Sequence, residues 1–164
     1  MMFACKHGHL HIVQFLFQNG AKDDVRRPDN NGATPMYAAN IFEACEAGDL
    51  DRLRELVRGG VNICQANGQG WTPMLFACQE GHLNIVHFLL KIGAQDDVRR
   101  SNHEGETPMF IACYKGHLNI AQFLFQNGAK DDARRPTNDE WTPMYAACFK
   151  GHLNIVQFLF QNGA

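Results

Sequence analysis

One thirteen-residue word is written four times along the chain, and it limits the fold more than any other feature. Residues 9–21 read HLHIVQFLFQNGA, 82–94 read HLNIVHFLLKIGA, 117–129 read HLNIAQFLFQNGA and 152–164 read HLNIVQFLFQNGA. Sequence recurring at a fixed period marks stacked structural units, each too small to bury its own apolar face and covered by its neighbours. A stack of this kind offers an extended surface rather than an enclosed pocket. Binding is therefore the expected kind of function, and catalysis needs residues that argue for it.

The spacing defines the unit. Thr72, Thr107 and Thr142 lie 35 residues apart, as do Gly81, Gly116 and Gly151, while Gly48 to Gly81 is 33. Threonine followed by proline predicts a helix start: the hydroxyl caps the first turn, and proline at the first helical position gives up only an N–H that has no partner there. Glycine before histidine predicts the end of that short helix, where a left-handed residue is wanted. A second helix follows, with Leu118, Ile120, Ala121, Leu124 and Phe125 on one apolar face. Asn127-Gly128 stops it, and Lys130 to Trp141 is a charged loop suited to a turn or hairpin projecting from the stack.

Thr-Pro-Met-Φ-x-Ala-Cys, Gly-His-Leu-x-Ile-Val and Asn-Gly-Ala together resemble the ankyrin repeat, whose pattern runs T-P-L-H-x-A-A, G-H-x-x-I-V and L-L-x-x-G-A. The likeness covers nearly the whole chain. It implies an all-α ankyrin-repeat solenoid of four to five helix–turn–helix units with projecting loops or short β-hairpins. The family's histidine after Thr-Pro-Leu is Tyr37, Leu75, Phe110 and Tyr145 here, so its backbone-bridging hydrogen bonds give way to apolar packing or exposed rings. The loops after Ala21, Ala94 and Ala129 are longer than in the family's form of about 33 residues, whereas the unit holding Val61 to Trp71 keeps the common length.

The order of units is irregular. Thr34 to Gly48 spans 14 positions against nine for Thr107 to Gly116, so the first-helix word is written twice. The helix after it, from Asp49 to Arg58, carries far more charge than its siblings. A polar outer face is what a terminal repeat requires, so residues 41–71 read as a cap located inside the chain. Met1 aligns with Met144, and the last helix keeps Ile155, Val156, Phe158, Leu159 and Phe160 with no charged substitution. The expected organisation is 1–39 as partial, interior-type repeats, fragmentary or rearranged, and 40–164 as the array, with a seam near Asn40. The alternative is one continuous stack in which five extra residues lengthen a helix. Open apolar end units predict self-association.

Composition narrows the partners. A chain of 164 residues that is 45% hydrophobic and 20% charged has a soluble, globular composition and enough length for one domain. Its net charge of −2 lacks the electrostatic pull used by nucleic-acid and anionic-membrane binders. The start, MMFACKHGHLHIV, is not a signal peptide, and no apolar run reaches the ~20 residues that span a bilayer. Of six cysteines, Cys5, Cys45, Cys78, Cys113 and Cys148 share one repeat position. Equivalent residues on stacked helices sit roughly 8–10 Å apart, beyond the about 7 Å limit for a disulfide. Buried, reduced thiols are expected, and with them the cytosol or nucleus.

The resemblance implies that partners bind the concave side, made by the first helices and loop tips. There the scaffold residues repeat and others vary. The position before Thr-Pro is Ala33, Trp71, Glu106 and Trp141; two after Met is Ala38, Phe76, Ile111 and Ala146. The position after cysteine is Lys6, Gln79, Tyr114 and Phe149, followed by His7, Glu80, Lys115 and Lys150. Variation on a fixed frame, rich in aromatics, has the composition of a binding hot spot, although Phe76, Phe110 and Tyr145 equally suit packing between units. The candidate surface is Trp71, Phe76, Gln79, Glu80, Glu106, Ile111, Tyr114, Lys115, Trp141, Tyr145, Phe149 and Lys150, for a protein partner. The other readings are a structural fragment that self-associates end to end, and a regulatory or targeting module of a larger protein.

Two further patterns read as structural. Asp23-Asp24-Val25-Arg26-Arg27 recurs as Asp96-Asp97-Val98-Arg99-Arg100 and Asp131-Asp132-Ala133-Arg134-Arg135. It is either an arginine ladder for phosphate, nucleic acid or an acidic peptide or, with equal numbers of both signs, a self-neutralised loop. Cys5-Lys6-His7-Gly8-His9-Leu10-His11 has zinc-ligand residue types, but Cys5 and His9 are repeat positions whose side chains diverge on two helices. The Gly-His histidines are expected to make turn and cap hydrogen bonds. No cofactor is expected. Ser101 is the only serine and lacks a nucleophile-elbow setting, and no glycine-rich phosphate loop occurs, so no enzyme activity is expected.

Overall fold

The computed structural model describes residues 35–164, with side chains from Ile41 onward. Among the described residues eight α-helices form four pairs, and no strand forms. The pairs are α1 (Pro35–Ala47) with α2 (Leu50–Arg58), α3 (Pro73–Glu80) with α4 (Leu83–Lys91), α5 (Pro108–Lys115) with α6 (Leu118–Gln126), and α7 (Pro143–Lys150) with α8 (Leu153–Gln161).

The local signals act as expected. The hydroxyls of Thr72, Thr107 and Thr142 accept from the backbone N–H of Leu75, Phe110 and Tyr145 at 3.3, 3.1 and 3.2 Å. Gly81 and Gly116 end α3 and α5 at φ 83° and 91°, a region that side-chain-bearing residues avoid. The first helices pack side by side as one layer, α1 on α3, α3 on α5 and α5 on α7, more closely than the second helices pack on each other. Small residues allow this approach: Ala44-Cys45, Ala77-Cys78, Ala112-Cys113 and Ala146-Ala147 lie in α1, α3, α5 and α7, and all but Cys148 of the Ala-Cys pairs are buried. The closer layer is what the inner side of a curved stack requires. Between the layers sit Ile85, Val86 and Leu89 of α4, Ile120, Ala121 and Leu124 of α6, and Ile155 and Leu159 of α8.

The Gly-His histidines do more than end a turn. None caps its own helix. Each instead reaches the preceding unit: the Nε2 of His82, His117 and His152 lies 2.9, 3.0 and 3.2 Å from the carbonyl oxygens of Glu46, Gln79 and Tyr114. A carbonyl only accepts, so Nε2 is the protonated, donating nitrogen. The same rings lie over the glycines of the preceding unit, where a Cβ on Gly48, Gly81 or Gly116 would come within 2.7, 2.6 and 2.7 Å of them. At Gly151 a Cβ meets nothing.

The loops also join neighbours. Instead of hairpins they form turns, with short 3-10 segments at Asp96–Val98 and Asp131–Ala133. The tips are closed by backbone bonds from Asn102 N–H to the Glu106 carbonyl and from Thr137 N–H to the Trp141 carbonyl, among others. Successive tips are tied by His103 N–H to the Gln69 carbonyl and Asn138 N–H to the Glu104 carbonyl. The two described Asp-Asp-x-Arg-Arg words, at 96–100 and 131–135, are self-neutralised rather than a ladder. Asp97 and Asp132 are 1% and 0% exposed; Arg100 pairs with Asp97, and Arg99 of one loop and Arg135 of the next both pair with Asp132. Arg100 also donates to the Cys64 carbonyl and Arg135 to that of Arg99. Burial raises the Asp97 carboxyl above its ordinary range and Arg100 opposes the rise.

Cys45, Cys78 and Cys113 are buried, free thiols. Burial pushes Cys45 and Cys113 up to about 12 and raises Cys78 as well, which leaves them inert. Cys148 departs from the expectation: the same repeat position is exposed there, because α7–α8 has a described neighbour on one side only. α1 runs unbroken through Asn40, which the longer-helix alternative expects, while residues before 35, on which the seam also depends, lie outside the described residues. So does the Cys5–His11 cluster. Among the described residues no group of three or more His, Cys, Asp or Glu side chains could hold a metal, and no helix is long and apolar enough to cross a membrane.

Candidate partner-binding face

Helical periodicity gathers the aromatic rings of the first helices and loop ends into three groups. Phe110 and Tyr114 are four residues apart on α5, and Tyr145 and Phe149 are four apart on α7, so each pair shares a helix face. The α5 rings lie nearly parallel, 6.1 Å apart at 15°. On α7, Tyr145 and Phe149 lie 6.4 Å apart at 14°, and Trp141, just before the Thr142 cap, sets its ring edgewise on both at 4.7 and 5.2 Å. Phe76 packs between Phe42 and Trp71 at 5.4 and 5.2 Å. Lys150 bridges two groups, its Nζ 4.4 Å from the Tyr114 ring centre and 5.6 Å from that of Phe149.

The predicted residues do not all reach solvent. Trp71, Phe76, Gln79, Glu106, Tyr114 and Trp141 are half-buried, and Glu80, Lys115, Tyr145, Phe149 and Lys150 are exposed. Gln79 donates through its side chain to Glu80 at 2.8 Å. Ile111 is corrected: it is only 3% exposed and packs in the core. Ala146 at the same repeat position is also buried, while Phe76 there is half-buried and packs against the core. The column Leu75, Phe110, Tyr145 splits the other way, buried in the first two and 52% exposed in Tyr145. Leu75 and Phe110 lie in units with a further described unit after them.

Between the loop tips 102–106 and 137–141 lies a cleft of about 170 Å³, lined by Glu104, Glu106, Phe110, Tyr114, Thr137, Asp139 and Trp141. Buried Asn102 braces one rim, accepting from the N–H groups of Glu104 and Glu106 and donating to the Glu106 carboxylate at 2.6 Å. Burial raises the Glu106 carboxyl above the usual range, with the Asn102 hydrogen bond opposing. On the other rim Thr137 Oγ accepts from Trp141 N–H at 3.2 Å. Glu140 has φ 64°, where the equivalent Gly70 and Gly105 have 82° and 79°. A Cβ on either glycine would strike the next loop tip.

Glu104 and Asp139 were not among the sequence candidates. Their signal was present as a repeat column, Gln69, Glu104, Asp139, three residues before the capping threonine. That column joins the site only because two successive tips face each other.

Four pairs of antiparallel helices with Thr-Pro starts, Gly-His links between units and projecting turns match one known pattern. A family model for ankyrin repeats in three copies matches residues 41–135 and again 94–164, and a single ankyrin-repeat model matches residues 1–30. The chain belongs to the ankyrin repeat family. Ankyrin repeats serve in general as protein–protein interaction modules. Human protein phosphatase 1 regulatory subunit 27 is similar at 36% identity over 63 residues, 38% of this chain and 41% of that protein. Mouse protein fem-1 homolog A-like is 32% identical over 91 residues, 56% of this chain and 13% of that protein. Tyrosine-protein kinase HTK16 of Hydra vulgaris is 28% identical over 99 residues, 60% of this chain and 12% of that protein. This ankyrin chain thus spans less than half the length of these curated relatives.

Proposed function

We propose that this chain is a non-catalytic recognition module that binds a protein partner on the inner first-helix face, with Tyr145 and Phe149 as anchors. The observation that carries the reading is the mutually packed Trp141–Tyr145–Phe149 cluster, in which Tyr145 and Phe149 stay 52% and 61% exposed. Rings held in place by one another lose little freedom on binding, which is how aromatic anchors dominate interfaces. The small shares of the relatives that are matched also suit a module of a larger protein, and the phosphatase regulatory subunit among them suits a regulatory one.

Affinity capture from a source lysate tests this with the wild-type chain against a Tyr145→Ala/Phe149→Ala variant. An anchor is worth about 2 kcal/mol, or about thirtyfold in affinity, so specific partners should disappear from the variant. Unchanged partner lists would remove the proposed face.

A second reading, head-to-tail association with another copy, is favoured by one observation. Leu153 and Phe160 of α8 are 67% and 76% exposed, on a face whose counterparts in α4 and α6 are partly covered by the next unit. Here Phe160→Glu should lower a concentration-dependent mass in sedimentation. A wild-type mass that stays monomeric at high concentration would end this reading.

A further inference from the structure

We infer that the cleft between the 102–106 and 137–141 loop tips receives an arginine side chain from the protein partner. Its guanidinium lies against the aromatic walls and faces the carboxylates of Glu104, Glu106 and Asp139. This rests on the reading that the inner face binds a protein, and it names the chemistry the partner must present.

Size comes first. A recess of about 170 Å³ is below the about 300–1,000 Å³ of small-molecule sites and suits one side chain. Its aromatic lining is flat: Phe110 and Tyr114 lie nearly parallel at 15°, and Trp141 also lines it. Aromatic faces attract cations, and this row already does so, since the Lys150 ammonium sits 4.4 Å from the Tyr114 ring centre.

Charge then decides the sign of the occupant. Elsewhere in these loops the chain answers its buried carboxylates with its own arginines, Arg100 at Asp97 and Arg99 at Asp132. Glu104, Glu106 and Asp139 form no ion pair among the described residues. Burial raises the Glu106 carboxyl, and the charges of Glu104 and Asp139 add to that, while the Asn102 hydrogen bond and Lys115 oppose it. A cation in the cleft offsets the penalty of keeping Glu106 ionised. Arginine fits better than lysine because a planar, weakly hydrated guanidinium can stack on a ring and bond carboxylates through its edge at once.

The test titrates the ¹⁵N-labelled full chain with three blocked amino acids: N-acetyl-arginine amide, N-acetyl-lysine amide and neutral, isosteric N-acetyl-citrulline amide. The two tryptophans, Trp71 and Trp141, give two indole N–H signals, assigned with a Trp71→Phe variant. Arginine amide should move the Trp141 signal and leave Trp71 still. Binding should weaken by about tenfold or more in Glu106→Gln/Asp139→Asn, whose unmoved Trp71 signal shows that the fold is intact. Citrulline amide acting equally, or the double variant binding like wild type, overturns the inference. Lysine amide binding as tightly as arginine amide overturns the guanidinium assignment. Were Tyr145→Ala/Phe149→Ala to lose its partners while citrulline matched arginine, the partner-binding face would stand and only the arginine cleft would fall.

Discussion

Gly116→Ala should destabilise the stack by about 2–4 kcal/mol, whereas Gly151→Ala, at the same repeat position, should cost only about 1–2 kcal/mol. Both glycines are left-handed, at φ 91° and 76°, so both substitutions incur the backbone penalty of a Cβ in that region. Only at Gly116 does the new methyl meet the neighbouring histidine, 2.7 Å from His152 Cε1, while at Gly151 it meets nothing. The ring must then move, and with it goes the His152 hydrogen bond to the Tyr114 carbonyl at 3.2 Å. Urea denaturation of the two variants measures the difference directly. Adding His152→Ala to Gly116→Ala removes the clash, so the pair should couple by about 1 kcal/mol or more instead of adding. Equal losses at the two glycines, or strict additivity with His152→Ala, would show that the histidine does not lock one unit onto the last.

This link shows where the sequence stops being legible. Helix starts and stops depend on residues within a few positions, so Thr107, Pro108 and Gly116 announce α5 unaided. The Gly-His dipeptide is just as visible, but its histidine acts on a carbonyl 36 to 38 residues earlier. A local reading assigns it to its own turn and misses the neighbour.

The candidate face divides along the same line. Variation in a repeat column does not mark exposure: in the column Phe76, Ile111, Ala146 the residue varies, yet Ile111 and Ala146 are buried. Phe110 and Tyr145 share a column and differ in exposure, 4% against 52%, which the column alone does not predict. The cleft was half legible, since Glu106, Tyr114 and Trp141 could be named from variation on the frame. Glu104 and Asp139 could not, because they meet only across two loop tips tied by the Asn138 to Glu104 bond.

The second large effect is expected at Leu124, wholly buried in α6 with described units on both sides. Leu124→Ala should cost about 2–5 kcal/mol, the range for deleting a buried leucine side chain with little collapse of the site. Leu159 holds the same position in α8 and is equally buried, but its unit is flanked by a described neighbour on one side only. Its surroundings can relax more, so Leu159→Ala should fall at the lower end of that range or below it. The comparison bears on function because each unit of a solenoid is stabilised chiefly by its neighbours. A cavity at Leu124 weakens the unit on which α7 rests, and α7 carries Tyr145 and Phe149. Hydrogen exchange in Leu124→Ala should therefore speed up more in α7 and α8 than in α3 and α4. A uniform rise would mean that the stack opens as one block and that the aromatic anchors do not depend on α6 in particular. An unequal rise would place the rigidity of the Trp141–Tyr145–Phe149 cluster in the interface beneath it, between α7 and the unit that holds Leu124.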